Sequence, residues 1–185
     1  MDSTEQYNLS SDPTLQRRYS NTINFLMSCV QPPLRILDLG ISNPLGEMMK
    51  GQGFEVVNTK GENLDEQPEI VQHYKVDLVT AFEIFEHLLN PLSVLKFLPA
   101  NRLIASVPLS LWFAKAYQSK TDPWDRHFHE FEDWQFDWLL EDAGWKIIKK
   151  EKWTSPVNQL GIRPLLRILT PRYYIVEAVR KKEHL

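Results

Sequence analysis

Apolar side chains recur at three- and four-residue spacing at Leu15, Tyr19, Ile23, Leu26, Met27 and Val30. That period predicts an amphipathic helix over 12–30. Asp12 followed by Pro13 marks its start, a capping side chain and then a proline at the first helical position. Gln31-Pro32-Pro33 marks its end. The pattern then changes to short apolar runs: 34–40, 54–58, 76–81, 102–107, 145–150 and 172–179. Runs of this length read as strands, and the runs that stop at Gly40 and Ala81 read as buried parallel ones. Between them lie helical stretches: a short one over 44–50, one with a proline step over 84–98, and one over 132–143. The last carries Trp134, Trp138 and Leu139 on one side and ends at Gly144, which suits a left-handed cap. Residues 1–11 read as a loose tail. Residues 59–74 are polar and weakly patterned.

Alternation of strand and helix predicts an α/β fold with a mostly parallel, doubly wound sheet in one domain spanning 1–185. Ligands in such sheets bind outside the carboxyl ends of the strands. Segments 38–46, 58–65 and 81–87 should therefore meet, with residues 108–131 closing over them as a lid.

Composition narrows the function classes. With 185 residues the chain can bury a sizeable core. A net charge of -3 gives no overall basic footprint, so charge-driven nucleic-acid binding is not indicated. The single cysteine, Cys29, excludes an internal disulfide and a thiolate zinc site. The polar, acidic start is unlike a signal peptide. No apolar run approaches the roughly 20 residues that span a bilayer. The expected location is the cytoplasm.

Two segments carry general binding chemistry. In the turn Asp38-Leu39-Gly40-Ile41-Ser42-Asn43-Pro44-Leu45-Gly46, glycine lets backbone approach a ligand closely. A carboxylate about 20 residues further on can accept from both hydroxyls of a ribose, and Glu62 and Asp65 are the candidates.

The third segment is more specific. Val76-Asp77-Leu78-Val79-Thr80-Ala81-Phe82-Glu83-Ile84-Phe85-Glu86-His87-Leu88 precedes Asn90-Pro91. It resembles the fourth-strand region of small class I S-adenosylmethionine (SAM)-dependent methyltransferases of the type 11/12-like kind. The 38–46 turn then resembles their glycine-rich loop. The stretch His127-Phe128-His129-Glu130-Phe131 ahead of Leu139-Leu140-Glu141-Asp142-Ala143-Gly144-Trp145 is similar to theirs as well. The likeness covers about 34–152 in order.

The resemblance implies a Rossmann-like sheet of seven strands with the last antiparallel. The region between the second and fourth strands is short enough for one helix or strand to be missing. It implies SAM as cofactor, held by Asp38, Gly40, Ser42, Asn43, Gly46, Glu62, Phe82 and Glu83, and a small-molecule acceptor. The turn departs from the family, with Ser42 and Pro44 where glycines are usual, and proline removes an N–H that could face a ligand.

His87, His127 and His129 are candidate bases, since imidazole titrates near working pH. Glu83, Glu86 and His87 share a face if helical. With His127 or His129 they form a possible divalent-metal set, as in some quinone O-methyltransferases. Metal-free members carry the same run, and the expected site holds no metal. There Glu83 lines the cofactor pocket, Glu86 caps or pairs locally, and His87 packs under the lid.

Trp112, Phe113, Tyr117, Trp124, Phe128, Phe131 and Trp134 cluster on the lid side, as core or as an acceptor pocket. Leu160 to Arg172 reads as a buried short helix, with a membrane or partner contact as the alternative. Two rivals stay open: a nucleotide-dependent oxidoreductase, and a non-catalytic binding module that retains the fold.

Overall fold

The computed structural model describes residues 13–121, 125–155 and 161–182. The expected cap Asp12, the tail 1–11 and Trp124 lie outside them. In chain order the elements are α1 (Pro13–Cys29), β1 (Arg35–Asp38), α2 (Pro44–Gly51), β2 (Glu55–Asn58), β3 (Leu78–Phe82), α3 (Pro91–Phe97), β4 (Arg102–Pro108), α4 (Asp133–Asp142), β5 (Trp145–Thr154), α5 (Ile162–Leu169) and β6 (Pro171–Arg180). One sheet runs in the order β2-β1-β3-β4-β6-β5. The first four strands are mutually parallel. β6 lies antiparallel between β4 and β5.

The sheet therefore has six strands rather than seven among the described residues. The shortfall lies between β2 and β3, where the chain makes a 3-10 turn over Pro68–His73. This stretch lacks the alternation that would sustain another strand, and local bonds fold it up. Glu66 and Gln67 donate to the Asn63 carbonyl. β2 is left at the edge.

Side-chain alternation sorts the core onto two faces. Ile36, Leu78, Ile104 and Ile175 meet Ile23, Leu26, Leu45 and Met49 of α1 and α2. Their neighbours Leu37, Val79, Leu103, Ala105, Tyr174 and Val176 meet Val94 and Leu95 of α3 and Phe136 and Leu140 of α4. Helices thus cover both faces of the sheet, as a mostly parallel sheet requires.

Three expectations change. The helix over 84–98 is broken into a 3-10 turn at Phe85–His87 and α3, because Asn90 caps a fresh helix at Pro91. On α4 the core positions are Phe136 and Leu140. Trp134 and Trp138 meet edge-on at 4.8 Å on its exposed side. Finally, α5 has no buried residue, so it is not the buried short helix that its leucines predict. Gly144 does take the left-handed conformation, with φ +87°.

Candidate active site

The parallel strands aim their carboxyl ends at one place. Asp38 ends β1 and is buried. Its Oδ1 accepts from the Thr80 hydroxyl on β3 at 2.7 Å, and its Oδ2 from Asn58 Nδ2 on β2 at 3.2 Å. Burial pushes its carboxyl up to about 6, opposed by those two donors. The linkage is unusual for an acid. Below about pH 4 both folded and unfolded chains hold the proton. Between about 4 and 6 only the folded chain holds it, so this group's contribution falls as pH rises and levels off above 6. The span is about 3 kcal/mol. Urea unfolding of Asp38→Asn against the parent at several pH values should show this slope in the parent alone; equal slopes would contradict it.

Beyond Asp38 the turn is held from within. Gly40 adopts φ +101°, and its N–H donates to the Thr59 hydroxyl at 2.8 Å. A Cβ there would sit 3.2 Å from Ile84 Cδ1, which suits the position to glycine. Asn43 caps α2, its Oδ1 accepting from Gly46 N at 3.0 Å. Ser42 is exposed and Gly46 is buried. Glu62 accepts from Lys60 N at 2.5 Å. Asp65 accepts from Leu89 N and Asn90 N, tying the polar loop to the start of α3.

At the end of β3 the chain turns sharply. Glu83 carries φ +56°, a left-handed conformation that is uncommon and strained for a residue with a side chain. Its carboxylate meets Arg18 of α1 at 2.6 Å. Burial raises the Glu83 carboxyl, with Arg18 opposing. About a quarter of each side chain is still exposed, so this pair is only partly desolvated. The turn brings Glu86 inward. It is 1% exposed, and neither carboxylate oxygen has a hydrogen-bond partner among the described residues. Burial, and then the charge of Glu83, hold this carboxyl well above the usual range.

Residues 126–131 are bonded against this turn. Phe128 N and His129 N donate to the Glu86 carbonyl, and Ser110 N to that of Phe131. His87 Nδ1 lies 3.0 Å from the Arg126 carbonyl, which can only accept. Nδ1 therefore carries the proton, and in the neutral ring Nε2 keeps its lone pair. Nε2 lies 3.9 Å from Glu86 Oε1. The ring of His127 meets His87 edge-on at 4.8 Å and Tyr117 at 4.7 Å. Burial, and then the charge of His87, push the His127 imidazole down. His129 stacks on Phe131.

A cavity of about 330 Å³ is lined by Arg18, Asp38, Phe82, Glu83, Glu86 and His127, among others. Gly40, Ser42, Gly46 and Glu62 are not in its lining. A second cavity, of about 500 Å³, opens within the 108–131 segment, between Tyr117, Lys120, Arg126 and Phe128. His127 lines both. A larger hollow of about 650 Å³ lies at the amino ends of β1 and β3, beside Arg35 and Asp77. It lies away from the buried acids and histidines, which sit where such sheets bind ligands. One potential cation set is present among the described residues: Glu86, His87 and His127 offer ligand atoms within 4.8 Å of one another. Cys29 is not part of the site, and burial pushes its thiol up to about 11.

Arg18, Tyr19 and Thr22 on α1 also line the first cavity. In the sequence this helix shows only its apolar period. Arg18 gave no local signal, because its partner lies 65 residues away.

No protein-family profile matches the chain, and no curated protein matches it. Solved structures do. A SAM-dependent methyltransferase from Archaeoglobus fulgidus superposes with TM-score 0.61 at 15% identity, covering 89% of this chain and 94% of the other. Magnesium protoporphyrin IX methyltransferase from Synechocystis PCC 6803, with bound S-adenosylhomocysteine, gives 0.50 at 16%, covering 91% and 84%. The [4+2]-cyclase SpnF gives 0.52 at 12%, covering 90% and 82%. The fold is that of the class I SAM-dependent methyltransferases, with a six-stranded sheet. The third of these matches carries a different name for its chemistry, so the reaction has to be argued from the site.

Proposed function

We propose that the chain transfers a methyl group from SAM to a small-molecule acceptor. The observation that carries this reading is the pair of cavities that share His127, one among buried acids at the strand ends and one within the 108–131 segment. The donor set suits this cofactor. Asp38 and Glu83 offer negative charge to an ammonium and a sulfonium, and Arg18 offers a guanidinium to a carboxylate. When bound, SAM supplies a methyl group already activated by its positive sulfur. The chain's work is then mainly to hold two reactants in line, and orientation alone is worth about 7–11 kcal/mol. The bonds of Phe128 N and His129 N to the Glu86 carbonyl hold the neighbouring His127 between the two cavities. There His127 accepts the acceptor's proton. The acceptor is expected in the 500 Å³ cavity, beside Tyr117 and Phe128. Incubation with methyl-labelled SAM and panels of phenols, amines and acids tests the reading. Label should pass to a small molecule; retention of all label on SAM across the panels would count against it.

Glu83→Gly separates the site's binding from its strain. Glycine accepts φ +56° freely, and that relief offsets the lost pair with Arg18, so the unfolding midpoint should stay close to the parent's. S-adenosylhomocysteine should bind about 10- to 100-fold more weakly through loss of a charged contact. A midpoint several degrees lower, with unchanged binding, would show Glu83 to be purely structural.

The orphaned Glu86 carboxylate favours a second reading, in which Glu86, His87 and His127 hold a divalent cation. Ligands at about 2.1 Å from a tetrahedral ion stand about 3.4 Å apart. The trio, whose atoms now lie within 4.8 Å of one another, would have to close by about an ångström or more. An ion would offset the buried charge of Glu86, and the lone pair on His87 Nε2 suits it. Titration calorimetry with manganese and zinc checks this: heat that His127→Ala abolishes supports it, and no heat removes it.

A further inference from the structure

One surface feature stands apart from the proposed reaction. α5 shows a full-length apolar face to solvent: Ile162 is 79% exposed and Leu169 71%, with Leu165 and Ile168 also exposed. The three- and four-residue spacing of Ile162, Leu165, Leu166 and Leu169 collects them on one side, and Arg163 and Arg167 fall on the other. An eight-residue helix with no buried side chain adds little to the core. Trp112 is 77% exposed as well. Both leave the sheet at the same end. Pro108 pairs with Tyr173, and Leu109 N donates to the Arg172 carbonyl, so α5 and the start of the 108–131 segment flank one corner. That corner belongs to the carboxyl end of β4, on the side of the cavity within that segment.

The helix itself is basic: it carries Arg163 and Arg167 and no acid. Nearby, Lys152 is paired with Asp133, and Tyr117 bonds Asp125 and Glu130, so the basic border is made by these two arginines. A second copy of this chain pairing through the same face would cover the leucines but set Arg163 and Arg167 against their own copies. An anionic bilayer matches both parts. Leucine and isoleucine enter the acyl boundary, arginines reach to the headgroups, and an exposed tryptophan settles at the interface.

We propose that α5 and Trp112 form a docking surface for an anionic lipid membrane, seating the cavity beside Tyr117 and Phe128 at the bilayer surface. The helix lies in the plane of the interface. No helix among the described residues is long and apolar enough to cross a membrane. An amphiphilic acceptor would then enter the cavity directly from the lipid surface.

Vesicle co-sedimentation of the full chain tests this. The chain should pellet with vesicles of equal parts phosphatidylcholine and phosphatidylglycerol and stay in solution with phosphatidylcholine alone. Arg163→Gln with Arg167→Gln should weaken binding roughly 30-fold, from the contribution of each arginine near a charged surface. Leu165→Gln with Leu169→Gln, and separately Trp112→Ser, should release the chain while leaving the thermal midpoint unchanged, since all three side chains are exposed. Failure to pellet with the anionic vesicles would overturn the proposal. So would leucine variants that bind as the parent does. Sedimentation velocity showing a dimer that the leucine variant splits would assign the face to a second copy instead.

Discussion

Methyl transfer by the His127→Ala variant is expected to fall about 100- to 10,000-fold, the range for removing a positioned general base. The expectation rests on location. His127 walls both cavities, and its imidazole is held neutral by burial and by the neighbouring His87. A neutral ring can take a proton at the moment the acceptor loses one. S-adenosylhomocysteine affinity should change far less than turnover, because the binding charges come from Arg18, Asp38 and Glu83. With an acceptor from the labelling panels in hand, the turnover ratio checks this. Comparable turnover in variant and parent would remove His127 from the mechanism. A chelator separates the two readings of the same residue: it leaves turnover intact where His127 is a base and abolishes it where a cation is held.

The largest expected effect on stability lies in the core. Trp145 is fully buried at the start of β5. Its indole N–H donates to the Leu95 carbonyl at 3.0 Å, and the Arg180 guanidinium sits 4.2 Å over the ring. Arg180 in turn donates to the carbonyls of Leu95 and Leu98 at the end of α3 and of Ala143 after α4. The ring is thus the floor on which an arginine ties two helix ends together. Trp145→Ala should cost about 3–5 kcal/mol through the lost burial and the cavity left behind. For a chain of this length that lowers the thermal midpoint by about 10–15 °C. A loss under about 1 kcal/mol by urea unfolding would mean that the helix ends close over the gap unaided.

Much of this architecture was legible in the sequence because it rests on local, periodic signals. The six apolar runs all became strands, and Gly144 took the conformation that only its lack of a side chain makes easy. The strand ends brought Asp38, Phe82 and Glu83 together because a parallel sheet leaves them nowhere else to point.

What stayed hidden depended on long-range geometry. Glu83, Glu86 and His87 have helical spacing, yet the left-handed backbone at Glu83 and the fresh start at Asn90-Pro91 make a 3-10 turn instead. That turn is what buries Glu86. Arg18 lay in a helix whose only visible signal was apolar. Thr59, which accepts from Gly40, looked like one more loop residue. The leucines of α5 illustrate a different limit. Their pattern is the same whether the face meets a core or solvent, and only the packing tells the two apart. The departures in the 40–46 turn have a local counterpart. Asn43 and Thr59 satisfy N–H groups of Gly46 and Gly40 that would otherwise be open to a ligand, so the cofactor's binding is expected to lean on Arg18, Asp38 and Glu83.

Calorimetric titration of the full chain with S-adenosylhomocysteine tests the central claim most directly. The account predicts one site with micromolar affinity, lost by at least tenfold in Glu83→Gly. No heat at millimolar ligand, or tighter binding of NADH in a parallel titration, would contradict it.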